Sequence, residues 1–200
     1  MTPAHPSVLI AGGGPVGMTL ALELARHGVR SALFERAPDT TRHPKMDITN
    51  GRSMELFRRL GLANALRSRA VPFQNPLDVA WITSLSEREV HRFRYPSPQT
   101  ALARYQHIND GAQPLEPAMR VSQVVIEPIL KRAVLANPLI DARWQCSVED
   151  VVQDGHQVTI TVASGTAGST ERFSAPYLVG CDGGNSRVRD AVGIGLRGKH

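Results

Sequence analysis

Val8-Leu9-Ile10-Ala11-Gly12-Gly13-Gly14-Pro15-Val16-Gly17 joins a short apolar run to a glycine-rich turn, and a helical pattern follows at once. Leu20, Ala21, Leu24 and Ala25 recur at helical spacing, with Gly28 placed as a C-cap. A second apolar run, Ser31-Ala32-Leu33-Phe34, then ends in Glu35. Strand, turn, helix and strand make a β-α-β unit, with the two strands expected to be parallel and the crossover right-handed. In G-x-G-x-x-G register, Gly12 permits the tight turn, Gly14 lets a pyrophosphate approach the backbone, and Gly17 lets helix and strand pack closely. N–H groups at the helix start are then free to bind phosphate. Glu35 is placed to accept hydrogen bonds from an adenosine ribose, and its charge repels a 2′-phosphate. That selects FAD or NAD over NADP at this position.

The sequence has 200 residues, 42% of them hydrophobic and 20% charged, the balance of a folded globular domain. No apolar stretch approaches the ~20 residues needed to cross a bilayer. Met1 to Ser7 carry no basic region ahead of an apolar segment, so no secretory signal and a cytoplasmic location are expected. The net charge of +5 comes from scattered basic residues, and with only 5% aromatics there is no stacking platform for nucleic acid. Cys146 and Cys181 have neither C-x-x-C nor metal-ligand spacing. They read as reduced, buried small hydrophobes, and no metal site is expected.

Downstream of Glu35, the polar stretch from Arg36 to Gly51 reads as a long loop, and long loops inside compact domains are usually functional. Arg52 to Leu60 resumes a helix with Leu56, Phe57 and Leu60 on one face. From Pro72 to about Leu115 the α/β rhythm breaks, and two strand patterns, Val79 to Ile82 and Glu89 to Tyr95, mark a β-rich insertion. The expected organisation is therefore 1–71, an insertion at 72–115, and a return to the first domain at 116–200. Val125, Ile129 and Ala133 signal another helix. Either Ser122 caps it and Pro128 distorts it, or the regular helix begins near Glu127 with Pro128 in its first turn. Val148 to Val152, the Asp154-Gly155 turn, the alternation of Val158, Ile160 and Val162, and Glu171 to Ala175 predict a small meander. Tyr177 to Cys181 reads as a short buried strand ending in Asp182-Gly183-Gly184.

Four segments occur in a telling order: the glycine turn, Arg52-Ser53-Met54-Glu55, Arg120-Val121-Ser122-Gln123, and Cys181-Asp182-Gly183-Gly184-Asn185-Ser186-Arg187-Val188-Arg189. Together they resemble the FAD-dependent aromatic hydroxylases, the single-component flavoprotein monooxygenases related to para-hydroxybenzoate hydroxylase, and especially the phenol and hydroxyphenylpropionate hydroxylase branch. The resemblance covers nearly the whole chain. It implies an α/β fold: a Rossmann-like FAD-binding domain with a parallel sheet and small β-meander, interrupted by the start of a β-rich substrate domain. It further implies that Gly12, Gly14, Pro15, Val16 and Gly17 meet the pyrophosphate, Glu35 the ribose and Arg36 the adenine. Arg52 would lie on the phosphate and flavin side, Gln123 at the ribityl or phosphate region, and Asp182 under the cofactor at a strand end. Lys45 and Arg120 complete the cofactor-binding set; Lys45 stands where many relatives carry arginine, keeping the charge but losing the bidentate fork.

The implied chemistry belongs to the flavin: NADPH or NADH reduces FAD, O2 adds at C4a, and the hydroperoxide transfers oxygen to a phenolic ring. No catalytic side chain is assigned, and the implied partners are a small aromatic substrate, O2 and NAD(P)H. Plainer roles stay open for several of these residues. Arg52 is also a solvated arginine at a helix start, Gln123 an exposed first-turn residue, and Asp182 a turn residue before two glycines; Arg187 and Arg189 are weak candidates beside them. The family's later Gly-Asp motif has no counterpart before His200, so the chain is expected to be the N-terminal part of a longer hydroxylase. The alternatives are a non-catalytic FAD- or nucleotide-binding fragment, or another flavoenzyme of the same fold, such as a halogenase or isoprenoid reductase.

Overall fold

The computed structural model describes residues 5–43, 45–108, 110–165 and 168–198. In chain order the elements are β1 (Val8–Ala11), α1 (Pro15–Arg26), β2 (Ser31–Glu35), β3 (Ile48–Thr49), α2 (Gly51–Arg59), α3 (Ala63–Arg67), β4 (Val79–Ile82), β5 (Glu89–Phe93) and α4 (Pro98–Tyr105). They continue as β6 (Met119–Arg120), α5 (Gln123–Leu135), β7 (Ile140–Trp144), β8 (Cys146–Gln153), β9 (Val158–Ser164), β10 (Ser169–Ala175), β11 (Tyr177–Gly180) and α6 (Arg187–Ala191). The chain forms two compact units, Met1–Arg42 with Leu130–His200 and His43–Ile129.

The first unit is built on a parallel sheet of order β11-β1-β2-β7. Alternation along β1 and β2 sends Leu9, Ala11, Ala32 and Phe34 to one face, where Val148, Ile160, Val162 and Ala175 of the antiparallel meander β8-β9-β10 cover them. Phe173 adds a tilted ring contact to Phe34, centroids 4.8 Å apart. Ile10 and Leu33 point the other way, to the face on which α1 packs with Met18, Ala21, Leu22 and Ala25 buried. Each fully buried aliphatic side chain of this kind contributes roughly 1.5–3 kcal/mol. The meander turn at Asp154-Gly155 is fastened by Asp154, whose Oδ1 accepts the N–H groups of His156 (2.7 Å) and Gln157 (2.8 Å).

The second unit holds three features that the sequence reading did not contain. The segment expected to be a plain loop includes β3, which pairs antiparallel with β6. A short helix, α3, follows α2. The stretch expected to be β-rich does contain the β4-β5 hairpin, with a bulge between Trp81 and Ile82, but it also contains α4. That helix has a clear local cause: the Ser97 hydroxyl accepts the Thr100 N–H at 3.1 Å, and Pro98 sits at the helix start, where its missing N–H has no partner to lose. Asn50 caps α2 in the same way, accepting the Ser53 N–H at 2.8 Å.

For α5 the structure selects the earlier start. The Ser122 carbonyl accepts the N–H groups of Val125 (2.9 Å) and Ile126 (3.2 Å), and Pro128 lies inside the helix. No helix among the described residues is long and apolar enough to cross a membrane.

Candidate nucleotide-binding site

The glycine turn leaves β1 and enters α1 beside the end of β11. Gly12 has φ +106°, a left-handed conformation that favours glycine, and a Cβ there would run into the Cys181 carbonyl and lie 2.8 Å from the Asp182 nitrogen. Gly17 is closed in as well, because a Cβ on it would strike the Gly12 carbonyl. Gly13, an unassigned position in the fingerprint, proves to be constrained by Glu35. A Cβ there would come within 2.6 Å of the Glu35 Cβ, and the Gly13 N–H donates to Glu35 Oε2 at 2.6 Å. Glu35 Oε1 accepts the Ala37 N–H at 2.8 Å. The signal was in the sequence: three successive glycines where the pattern asks for two.

Gly14 differs from its neighbours. A Cβ added to it would meet no atom within 4 Å, and its φ of −71° is one that any residue adopts. Nothing among the described residues therefore requires glycine there, whereas a ligand backing onto the turn would. The start of α1 fits the same ligand. Gly14 provides no side-chain cap, and the first turn holds no acidic residue, so among the described residues its N–H groups and the positive end of the dipole have no side-chain acceptor. Val16 is 70% exposed at this point. A phosphate-bearing dinucleotide fits this cradle: space at Gly14, donors on α1, and one lone pair left on each Glu35 oxygen for ribose hydroxyls.

Two further residues of this unit belong to the expected set. Arg36 follows Glu35 and is exposed. Asp182 lies at the end of β11, but its carboxylate faces its own turn: Oδ1 accepts from the Ser186 hydroxyl (2.6 Å), while Oδ2 accepts from the N–H groups of Arg187 (2.7 Å) and Val188 (3.3 Å). Arg187 pairs with Glu149, and Arg189 Nη1 donates to the Gly184 carbonyl at 2.9 Å. Burial, then the Asp182 charge, pushes the Cys181 thiol above its ordinary range; Cys146 is raised by burial also, and both cysteines are free.

In the second unit, residues 45–49 run antiparallel to 119–123. The Val121 N–H donates to the Asp47 carbonyl at 2.7 Å and the Gln123 N–H to that of Met46 at 3.1 Å. Arg120 faces Asp47 with Nε to Oδ2 at 3.4 Å, and its Nη1 reaches the Asp78 carbonyl at 3.4 Å. Gln123 is not the exposed first-turn residue that one reading allowed, for it is only 7% exposed. Its Oε1 accepts the Lys45 N–H at 3.0 Å, and its Nε2 donates to Glu127 Oε1 at 2.6 Å. Lys45 itself is exposed. Arg52 projects from the first turn of α2, 74% exposed, and pairs with Glu55 at 3.0 Å. The Leu115 N–H, then Arg52, holds the Glu55 carboxyl below its ordinary range.

The parallel sheet, the glycine turn and the Glu35 carboxylate define a Rossmann-type dinucleotide-binding domain. The chain belongs to the FAD binding domain family, which it matches over residues 5–200. It is 42% identical over 193 residues to the FAD-dependent monooxygenase apdD of Emericella nidulans, covering 96% of this chain and 31% of that protein. With the 2,4-dichlorophenol 6-monooxygenase of Delftia acidovorans it shares 31% identity over 204 residues, 99% of this chain and 33% of the relative. The flavin-dependent monooxygenase PieE, solved in complex with FAD and substrate, superposes with a TM-score of 0.85 at 30% identity, covering 100% of this chain and 34% of that one. The fold is thus that of the FAD-binding monooxygenases. The chain spans about a third of the length of the curated relatives it matches.

Proposed function

We propose that this chain forms the FAD-binding part of an NAD(P)H-dependent monooxygenase that hydroxylates a small phenolic substrate. The observation that carries the FAD half is Gly14, a glycine that no contact among the described residues requires, at the uncapped start of α1 beside Glu35. Support for the phenol comes from the relative whose name specifies a chlorinated phenol.

In this reading the N–H groups of Val16 and Gly17 bind the pyrophosphate, and Glu35 accepts the ribose hydroxyls with the lone pairs that Gly13 and Ala37 leave free. The Gly13 contact keeps that carboxylate from turning away. Lys45, Arg52 and Arg120 supply positive charge toward phosphate, and Gln123 offers hydrogen bonds to the ribityl or phosphate region. Arg36 lies beside the adenine, and Asp182 stiffens the turn at the end of β11. The insertion at 72–115 contributes to holding the substrate. When bound, FAD supplies the redox chemistry by which O2 is activated at the expense of NAD(P)H and one oxygen atom is passed to the ring. The protein's share is binding, orientation and exclusion of water.

The test is a visible spectrum of the purified chain followed by a panel of phenols with NADH or NADPH under O2. Flavin bands near ~450 nm that stay with the protein through gel filtration establish the cofactor; their absence from the protein fraction after incubation with FAD refutes the reading. Bound FAD without NAD(P)H oxidation or phenol hydroxylation refutes the catalytic part for this chain.

A further inference from the structure

Glu127 lies on α5 with 4% of its surface exposed, a buried acidic side chain that neither the family motifs nor the sequence reading assign. Burying a carboxyl group is unfavourable unless hydrogen bonds replace its water, and an apolar residue would fill this helical position more readily. Glu127 Oε1 accepts the Gln123 Nε2–H at 2.6 Å, from one helical turn earlier. The Lys45 N–H can only donate, so the Gln123 amide oxygen must face it, as it does at 3.0 Å, and the amide nitrogen is thereby turned to Glu127. Two partners fix one orientation of the carboxamide, and among the described residues one N–H of Nε2 is left over.

That orientation has a structural consequence. β3 and β6 pair through Ile48–Arg120 and Thr49–Met119, and the Gln123 N–H bonds the Met46 carbonyl beyond them. The Gln123 side chain then takes the next rung, where the backbone of α5 has already turned away into a helix. It fastens the segment that carries Lys45.

We propose that Glu127 is a positioning residue for FAD binding: it holds the Gln123 carboxamide so that its oxygen latches the Lys45 backbone and its spare N–H is presented to the cofactor. This rests on the FAD reading above. Amide hydrogen exchange by NMR and FAD titration by fluorescence test it on the full chain. In Glu127→Ala, exchange at the Lys45 amide rises about 10-fold, the loss of one hydrogen bond of ordinary strength, while that of Leu33 in the parallel sheet stays as in the wild type. The Kd for FAD rises about 5- to 10-fold in the same variant, again the scale of one hydrogen bond. Glu127→Gln, which keeps an accepting oxygen, restores both. Should Glu127→Ala unfold, Glu127→Leu gives the same comparison with the volume filled.

Unchanged Lys45 exchange in the variant lacking the acceptor overturns the proposal. So does faster Lys45 exchange with unaltered FAD affinity, which makes Glu127 structural only, and so does a Glu127→Gln variant that behaves like Glu127→Ala. A wild-type chain that binds no FAD overturns the functional reading and the cofactor half of this proposal, while the exchange data decide the Glu127–Gln123–Lys45 latch by themselves.

Discussion

Gly14→Ala separates the needs of the fold from those of the ligand. Its φ of −71° is open to alanine, and the new Cβ would meet no protein atom within 4 Å. Replacing glycine at a compatible position stabilises by about 0.4–1 kcal/mol through the unfolded chain. Gly14 is also the N-cap of α1, where alanine is worse than glycine by about 0.5 kcal/mol. The two effects nearly offset, so the net change in stability is within about 0.5 kcal/mol, or about 2 °C in Tm for a chain of this size. FAD affinity moves much further. A methyl group in the cradle holds the pyrophosphate off the α1 N–H groups, and losing one hydrogen bond to a charged group costs about 1.5–3 kcal/mol, a rise in Kd of about 10- to 150-fold. Thermal unfolding of the chain without flavin and a fluorescence titration with FAD read the two quantities separately. Undiminished FAD affinity would refute the cradle; a large loss of stability would show that the protein itself needs this glycine.

Gly13→Ala should differ by lowering both quantities, because its Cβ would lie 2.6 Å from that of Glu35 and the N–H to Oε2 bond would be pushed apart. A loss of about 1–3 kcal/mol is expected in urea unfolding, with weaker FAD binding. Asp182→Ala should destabilise by about 1–2 kcal/mol in the same assay, since it removes the acceptor for Ser186, Arg187 and Val188 at the start of α6. The Tyr95 N–H, then Arg92, holds the Asp78 carboxyl below its ordinary value of 3.8, so its contribution is complete above that value and disappears as pH falls through the lower folded-state value. The Tyr95 amide should therefore exchange faster, after correction for intrinsic rates, as a titration passes below about pH 4, and Asp78→Asn should flatten the change.

The elements that were legible in the sequence are those whose cause is local. β1, α1 and β2 follow from an apolar run, a glycine turn and a 3.6-residue period, and the meander follows from two-residue alternation around Asp154-Gly155. β7 was missed because Asp141 and Arg143 interrupt its apolar pattern. In the fold these are acceptable on an edge strand, where Arg143 bonds Asp141 and Glu171 and stacks over Phe173 at 4.6 Å. β3 and β6 have two residues each and exist only as partners of one another, across some seventy residues of chain. α4 is a different case, since Ser97-Pro98 is a legible helix start that the strand patterns around it obscured.

The candidate site divides along the same line. Gly12, Gly14, Gly17 and Glu35 could be placed from spacing alone, because one β-α-β unit contains them all. Gln123 could not, since a glutamine opening a helix with glutamate four residues on reads as a solvated pair. Both side chains are buried instead, and the antiparallel pairing of 45–49 with 119–123 that sets Lys45 beside Gln123 leaves no periodic trace. A residue whose role depends on a distant backbone donor is invisible to spacing but obvious once its hydrogen bonds are counted. The role proposed for Glu127 rests on the same count: the Lys45 N–H fixes which end of the Gln123 amide is oxygen, and the Glu127 carboxylate accepts from the nitrogen at the other end and holds the group in place.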